Sequence, residues 1–99
     1  MTLKLVDRGE EGELLLDGRL DANTAPEVEE AFLQTADRFD TLVLNMAGLS
    51  YVSSAGLRAI KRVYMAMRKK NGELILTNVN KTVMEVFEIT KFVGFLTIE

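Results

Sequence analysis

The chain has 99 residues, no cysteine and no histidine, and its single proline is Pro26. Without cysteine there is no disulfide framework and no thiol nucleophile, which fits a reducing compartment. Without histidine, the commonest general base and the commonest metal ligand are both gone. A Ser-His-Asp triad, an H-E-x-x-H zinc site and any Cys/His zinc centre are therefore excluded. Chemistry by carboxylate, hydroxyl, lysine or backbone survives, or no chemistry at all. There is no G-x-G-x-x-G fingerprint and no P-loop, so independent nucleotide hydrolysis is not expected. No catalytic residue, cofactor or metal is expected either. Asp17 and Asp21 could form a carboxylate pair, but turn and cap roles explain them about as well. No apolar run approaches the roughly 20 residues of a membrane span. Residues 1–8 lack the long apolar stretch of a secretory signal, so the expected location is cytoplasmic, without direct membrane contact.

Apolar residues make up 47% of the chain, too many for a disordered one, and the net charge is −3. No linker, repeat or low-complexity tract interrupts the sequence, so one domain over residues 1–99 is expected. The charges are unevenly placed. Arg58, Lys61, Arg62, Arg68, Lys69 and Lys70 supply half of the 12 basic residues, with no acid among them. Ten of the 15 acids fall between Glu10 and Asp40. The basic run reads either as a solvated helix face or as a docking face for an acidic partner surface. An acidic total with one basic stripe argues against nucleic acid.

The apolar pattern gives eight elements. Two strands, 3–8 and 13–17, form a hairpin around Gly9–Gly12, and Asp17-Gly18 reads as a break. Thr24-Ala25-Pro26-Glu27 matches a capping box opening a helix whose apolar face is Ala25, Val28, Ala31, Phe32, Thr35 and Ala36. Residues 42–46 are nearly continuously apolar, the pattern of a strand buried on both faces, and 47–53 reads as a loop. A helix spans 54–70, stopped by Asn71-Gly72. A strand at 74–76, a third helix capped by Asn80 and holding Val83, Met84, Val86 and Phe87, and a strand at 95–98 complete the chain. The order β-β-α-β-α-β-α-β defines the α/β class: a mixed sheet with parallel crossovers, covered by helices, with an antiparallel edge. Met46, Met65, Met67 and Met84 read as core or partner-contact residues. Phe92, Val93 and Phe95 read as core, or as an interface if exposed.

In an open α/β sheet, ligands and partners meet the loops at the carboxyl ends of the parallel strands. If the second and third strands are parallel neighbours, Asp21 and the Ser53-Ser54 pair share one rim. Ser50, Ser53 and Ser54 are the only serines in the chain. Ser53-Ser54-Ala55-Gly56 places four small residues at a helix start, where exposed N–H groups and the helix dipole favour a phosphate. A purely architectural reading stays open: Ser53 as cap, Ser54 in the first turn, and Gly56 for close packing.

The stretch from Asn45 to Ile60, NMAGLSYVSSAGLRAI, resembles the signature of STAS domains, and specifically of stand-alone anti-sigma factor antagonists. Residues 18–25, GRLDANTA, resemble that family's Gly-x-Leu-Asp-x-x-Thr-Ala segment, and 86–90, VFEIT, its third helix. The resemblance implies a switch. Ser54, with Ser53 as the second candidate, would be phosphorylated by a partner anti-sigma factor that is an ATP-dependent serine kinase. The unphosphorylated form would bind that partner and free a sigma factor. Phosphorylation would break the complex, and a phosphatase would restore it. Asp21 matches an acidic residue beside the phosphoserine, and Asn23, Ser50, Gly56, Arg58 and Arg62 complete the expected partner-binding set. Asn45 and Ser53 stand where the family often has Asp, which removes negative charge near Ser54. The alternative is an accessory STAS subunit of a transporter or lipid-trafficking ATPase complex, bound constitutively. A small-ligand or nucleotide sensor is a third class.

Overall fold

Alternating strand and helix signals resolve into a five-stranded sheet and three helices in the computed structural model, which describes residues 1–99. β1 (Thr2–Arg8) and β2 (Glu11–Leu20) form the antiparallel hairpin. α1 (Ala25–Arg38), β3 (Thr41–Val52), α2 (Ser54–Lys69), β4 (Glu73–Thr77), α3 (Lys81–Ile89) and β5 (Thr97–Ile98) follow. The spatial strand order is β1-β2-β3-β4-β5, and every pair after the first is parallel.

The local signals at helix ends hold where they rest on a few adjacent residues. Asn80 Oδ1 accepts the Val83 N–H at 2.9 Å, capping α3. At the end of α2, Asn71 takes the left-handed conformation with φ of 60°. The Gly72 N–H then reaches Met67 O at 2.8 Å and the Asn71 N–H reaches Arg68 O at 3.0 Å, the paired bonds of a Schellman motif. The capping box at α1 does not form. Thr24 is itself helical and makes no side-chain cap. Its hydroxyl instead donates to Arg19 O at 2.8 Å and accepts the Asp21 N–H at 2.9 Å, so it ties the turn back to β2.

Two strands run well beyond what the sequence pattern implies, and the last strand is shorter than the expected 95–98, only Thr97–Ile98, because Phe95 caps the preceding 3₁₀ turn. β2 continues through Asp17-Gly18 to Leu20, and β3 continues from Met46 to Val52, where the pattern suggests a loop. The β2–β3 register explains why. Leu15 pairs with Asn45 but Asp17 with Gly48, and Gly18 pairs with Leu49 but Arg19 with Tyr51. Each shift inserts one extra residue into β3, a bulge that resets the inward phase. Leu42, Leu44 and Met46 point inward at spacing two, and Leu49 and Val52 follow at spacing three. Gly48 lies at the first bulge because the strands close up there: a Cβ would stand 2.8 Å from Leu16 O.

One core cluster of 22 residues joins the inward side chains of β2, β3 and β4 to Val28 and Phe32 of α1, Ile60 and Val63 of α2, and Val83 and Phe87 of α3. All three helices therefore share one face of the sheet. The strand at 42–46 is built into that core through Leu42, Leu44 and Met46 only; Val43 is buried outside the cluster and Asn45 is half-buried. The other sheet face carries Lys4, Val6, Glu13, Leu15, Asn45 and Ile75 without a helix over them. Met46 and Met67 are core residues, whereas Met65 is 57% exposed. Phe92 and Phe95 pack against the core from a 3₁₀ turn at Phe92–Gly94 and the residue after it, and Val93 is exposed.

Candidate functional site

The carboxyl ends of β2 and β3 lie side by side, with Leu20 opposite Val52. The Ser53 N–H extends this pairing by one bond, donating to Leu20 O at 2.9 Å. Ser53 then turns the chain into α2. Its backbone is extended, its O accepts the Leu57 N–H at 2.9 Å, and its hydroxyl oxygen accepts the Gly56 N–H at a long 3.4 Å. Ser53 is thus the N-cap. Ser54, the first helical residue, is exposed and its hydroxyl has no hydrogen-bond partner in the protein. Gly56 is buried beneath it against Leu20 and Val52.

Asp21 lies on the same rim, as expected from parallel neighbouring strands. Its Oδ1 accepts the N–H groups of Asn23 at 3.0 Å and Thr24 at 3.2 Å, and Arg19 Nε stands 3.7 Å from Oδ2. Partial burial works against ionisation of this carboxyl, but the hydrogen bonds from Asn23 and Thr24 and the Arg19 charge together outweigh it and hold it below the usual range. Asp21 is therefore an ionised carboxylate occupied largely with its own turn. Asn23 is exposed at the tip of that turn.

Arg58 and Arg62 follow Ser54 along α2. Arg62 is bound to Glu29 of α1 at 2.6 Å, whereas Arg58 is exposed and makes no ion pair. Both line a cleft of about 420 Å³ between the starts of α1 and α2, with Ala22, Pro26, Glu29 and Ala55. Ser50 is differently placed. It is the extra residue of the second bulge, and its hydroxyl donates to Gly18 O at 3.0 Å.

Asn45 is not part of this rim, contrary to the expectation that it thins the charge near Ser54. Six residues of strand, roughly 20 Å, separate it from Val52. Its amide donates to Glu13 at 3.1 Å, while its Oδ1 accepts from Asn78 at 3.1 Å and from the Ala47 N–H at 3.1 Å. The Asn45 amide and then Arg8 hold the Glu13 carboxyl below its ordinary value. An Asp at 45 would face another carboxylate there. Sequence reasoning missed two rim residues, Arg19 and Tyr51. The Arg19 guanidinium lies 4.3 Å from the centroid of the Tyr51 ring, which is 39% exposed. Their pairing could be read only by knowing that both strands run past their apparent ends.

No group of three or more acidic side chains is arranged to hold a metal ion. No helix is long and apolar enough to cross a membrane. The rim offers an unoccupied hydroxyl, a free guanidinium, an exposed aromatic ring and a carboxylate committed to a turn, on the edge of a small α/β domain. The model of the STAS domain matches residues 6–99, and the chain belongs to that family. BtrV of Bordetella bronchiseptica, named as a candidate anti-sigma factor antagonist, is 37% identical over 84 residues, covering 84% of this chain and 70% of its own. The anti-sigma-B factor antagonist of Listeria monocytogenes is 31% identical over 80 residues, covering 79% of this chain and 69% of its own. The fold is similar to that of the Bacillus anti-sigma factor antagonist SpoIIAA, solved in unphosphorylated and phosphorylated forms. Against the unphosphorylated form the TM-score is 0.83 at 19% identity, over 99% of this chain and 88% of that one.

Proposed function

We propose that this protein is an anti-sigma factor antagonist. It binds an anti-sigma factor serine kinase through the Asp21–Ser54 rim when unphosphorylated, and phosphorylation of Ser54 releases it. The observation that carries this reading is the division of labour between the two serines. Ser53 spends its hydroxyl oxygen on the cap and Ser54 leaves its own free, exposed and on the first helical turn. A phosphate there adds about −1.5 to −2 charges. The helix tolerates it, because the dipole and the free N–H groups of the first turn favour an anion. The domain stays folded and only the interface changes. Buried against a partner, such a charge costs several kcal/mol, and each 1.4 kcal/mol is about tenfold in affinity. Asp21, Asn23, Arg58 and Arg62 form the surrounding contact surface, with Ser50 holding the bulge beneath it; Gly56, expected in that set, is buried against Leu20 and Val52 and supports the serine turn from below.

The chain itself performs no chemistry on this reading. The partner supplies the ATP and the phosphoryl transfer, a phosphatase reverses it, and the exchange takes place in the cytoplasm. The relatives named above carry the antagonist's name, which favours this reading over a constitutive transporter subunit. The test is a pull-down from the source organism with wild-type and Ser54→Asp baits, identified by mass spectrometry. Capture of a serine-kinase anti-sigma factor by wild type alone is expected. Equal capture of a transporter ATPase by both baits would overturn the proposal.

A further inference from the structure

At the far end of α2 the exposed stripe of the helix opens into a groove. Lys61, Tyr64, Met65, Arg68, Lys69 and Phe95 line a volume of about 570 Å³. Its floor is apolar. Tyr64 and Phe95 pack at a tilt with ring centroids 4.7 Å apart, and Phe92 lies 4.8 Å beyond Phe95. Met65 stands over it at 57% exposure. Its rim is cationic, and Lys61, Arg68 and Lys69 make no ion pair. Arg68 donates to the Tyr64 hydroxyl at 3.0 Å, which aims its guanidinium along the groove wall. Lys70 is not part of the rim, because its ammonium is bound to Ala36 O and Phe39 O at the end of α1. Two acids line adjoining clefts, Glu73 with Arg68 and Asp37 with Lys69, and neither forms a salt bridge with these cations.

Lys61, Met65, Arg68 and Lys69 fall on one helix face by their spacing, over about 12 Å of axis. Met65 lies about 16 Å along the helix from Ser54, so the groove is separate from the serine rim. A folded domain gains nothing from holding a methionine in water between unneutralised cations, whereas a partner that covers the methionine and pairs the cations gains both ways. We propose that this groove docks an acidic, amphipathic segment of a partner protein. The segment lies along α2 with its apolar side on Met65, Tyr64 and Phe95 and its carboxylates on Lys61, Arg68 and Lys69. A helix with apolar anchors at i, i+3, i+4 and i+7 and flanking acids has the matching pattern. The assignment does not depend on phosphorylation of Ser54.

The probe is a fluorescent peptide of about 15 residues with leucines at those anchor positions and glutamates on both flanks. Its controls are a scrambled peptide of equal composition and a version with lysine for each glutamate. Fluorescence polarisation with the full chain at low salt is expected to give a dissociation constant in the tens of micromolar for the patterned peptide alone. Met65→Ser and Arg68→Glu should each weaken it about tenfold or more, with circular dichroism unchanged because both sites are exposed. Ser54→Ala should leave it unaltered, so failure here and failure of the switch are told apart. No binding, equal binding of the scrambled peptide, or binding indifferent to both groove variants would overturn the proposal. So would a preference of the groove for anionic phosphatidylglycerol vesicles, for a short single-stranded RNA, or for a second copy of this chain, seen as dimerisation that Arg68→Glu abolishes.

Discussion

Replacing Gly56 by alanine sets two effects of opposite sign against each other beneath the serine rim. Gly56 is the third residue of α2, and helix propensity alone favours alanine there by up to about 1 kcal/mol. The added Cβ would stand 2.7 Å from Leu20 Cγ and 2.9 Å from both Leu20 O and Val52 Cγ2. All three are well inside the ~3.5–4.0 Å of optimal contact. Leu20 and Val52 are 0% and 4% exposed, so neither side chain has space to retreat into. Leu20 O is also the acceptor of the Ser53 N–H at 2.9 Å. Relief therefore requires the start of α2 to lift from β2, stretching that bond. Overpacking of this kind costs roughly 1–3 kcal/mol, which exceeds the propensity gain. We expect net destabilisation of about 1–2 kcal/mol, or a fall in Tm of about 5–15 °C for a domain this size. Urea unfolding followed by circular dichroism measures it, and amide exchange at Ser53 should quicken. A Gly56→Ala chain as stable as wild type, or more stable, would refute the packing argument.

Two further substitutions probe other parts of the account. Asn45→Asp puts a second carboxylate against Glu13 and removes a hydrogen bond, so it should destabilise by about 1–3 kcal/mol at pH 7. In the wild type the lowered Glu13 pKa contributes stability above its unfolded value, and this is lost as pH falls through the folded value. In the variant, protonation of either carboxylate relieves the repulsion, so the two stability curves should converge on acidification; a constant gap from pH 7 to about 4 would disprove the contact. Asn80→Ala removes the α3 cap and the 2.8 Å bond from Asn80 Nδ2 to Leu49 O, and should cost about 1–2 kcal/mol in urea unfolding. A loss under about 0.3 kcal/mol would show that α3 is held by Val83 and Phe87 alone.

How far the fold could be read in advance followed the range of the interactions involved. Asn80 as a cap, Asn71-Gly72 as a stop and Ser53-Ser54 as a helix start depend on neighbours within five residues, and all three were legible. The element order was legible because apolar periodicity changes cleanly between strands and helices. The capping box failed because Thr24 found a competing acceptor in Arg19 O, on a strand that the Asp17-Gly18 pair seemed to end. The continuation of β3 was hidden because a bulge is defined by the partner strand. The period-two pattern of Leu42, Leu44 and Met46 cannot persist through it, and Met46, Leu49 and Val52 share a face only once β2 sets the register. For the same reason Arg19 on Tyr51 was invisible, and the distance between Asn45 and Ser54 emerges only from the full length of the strand. That all helices lie on one sheet face depends on successive crossovers running in one direction, which element order alone does not state.

The central claim is that Ser54 carries the switch. The direct measurement is to incubate the purified chain with its partner anti-sigma kinase and ATP, map the phosphate by mass spectrometry, and titrate both forms against the kinase by calorimetry. The account predicts phosphate on Ser54, none on Ser50 or Ser53, and binding weakened at least about tenfold by the modification. Phosphate on Ser53, no phosphate at all, or equal affinity of the two forms would contradict it.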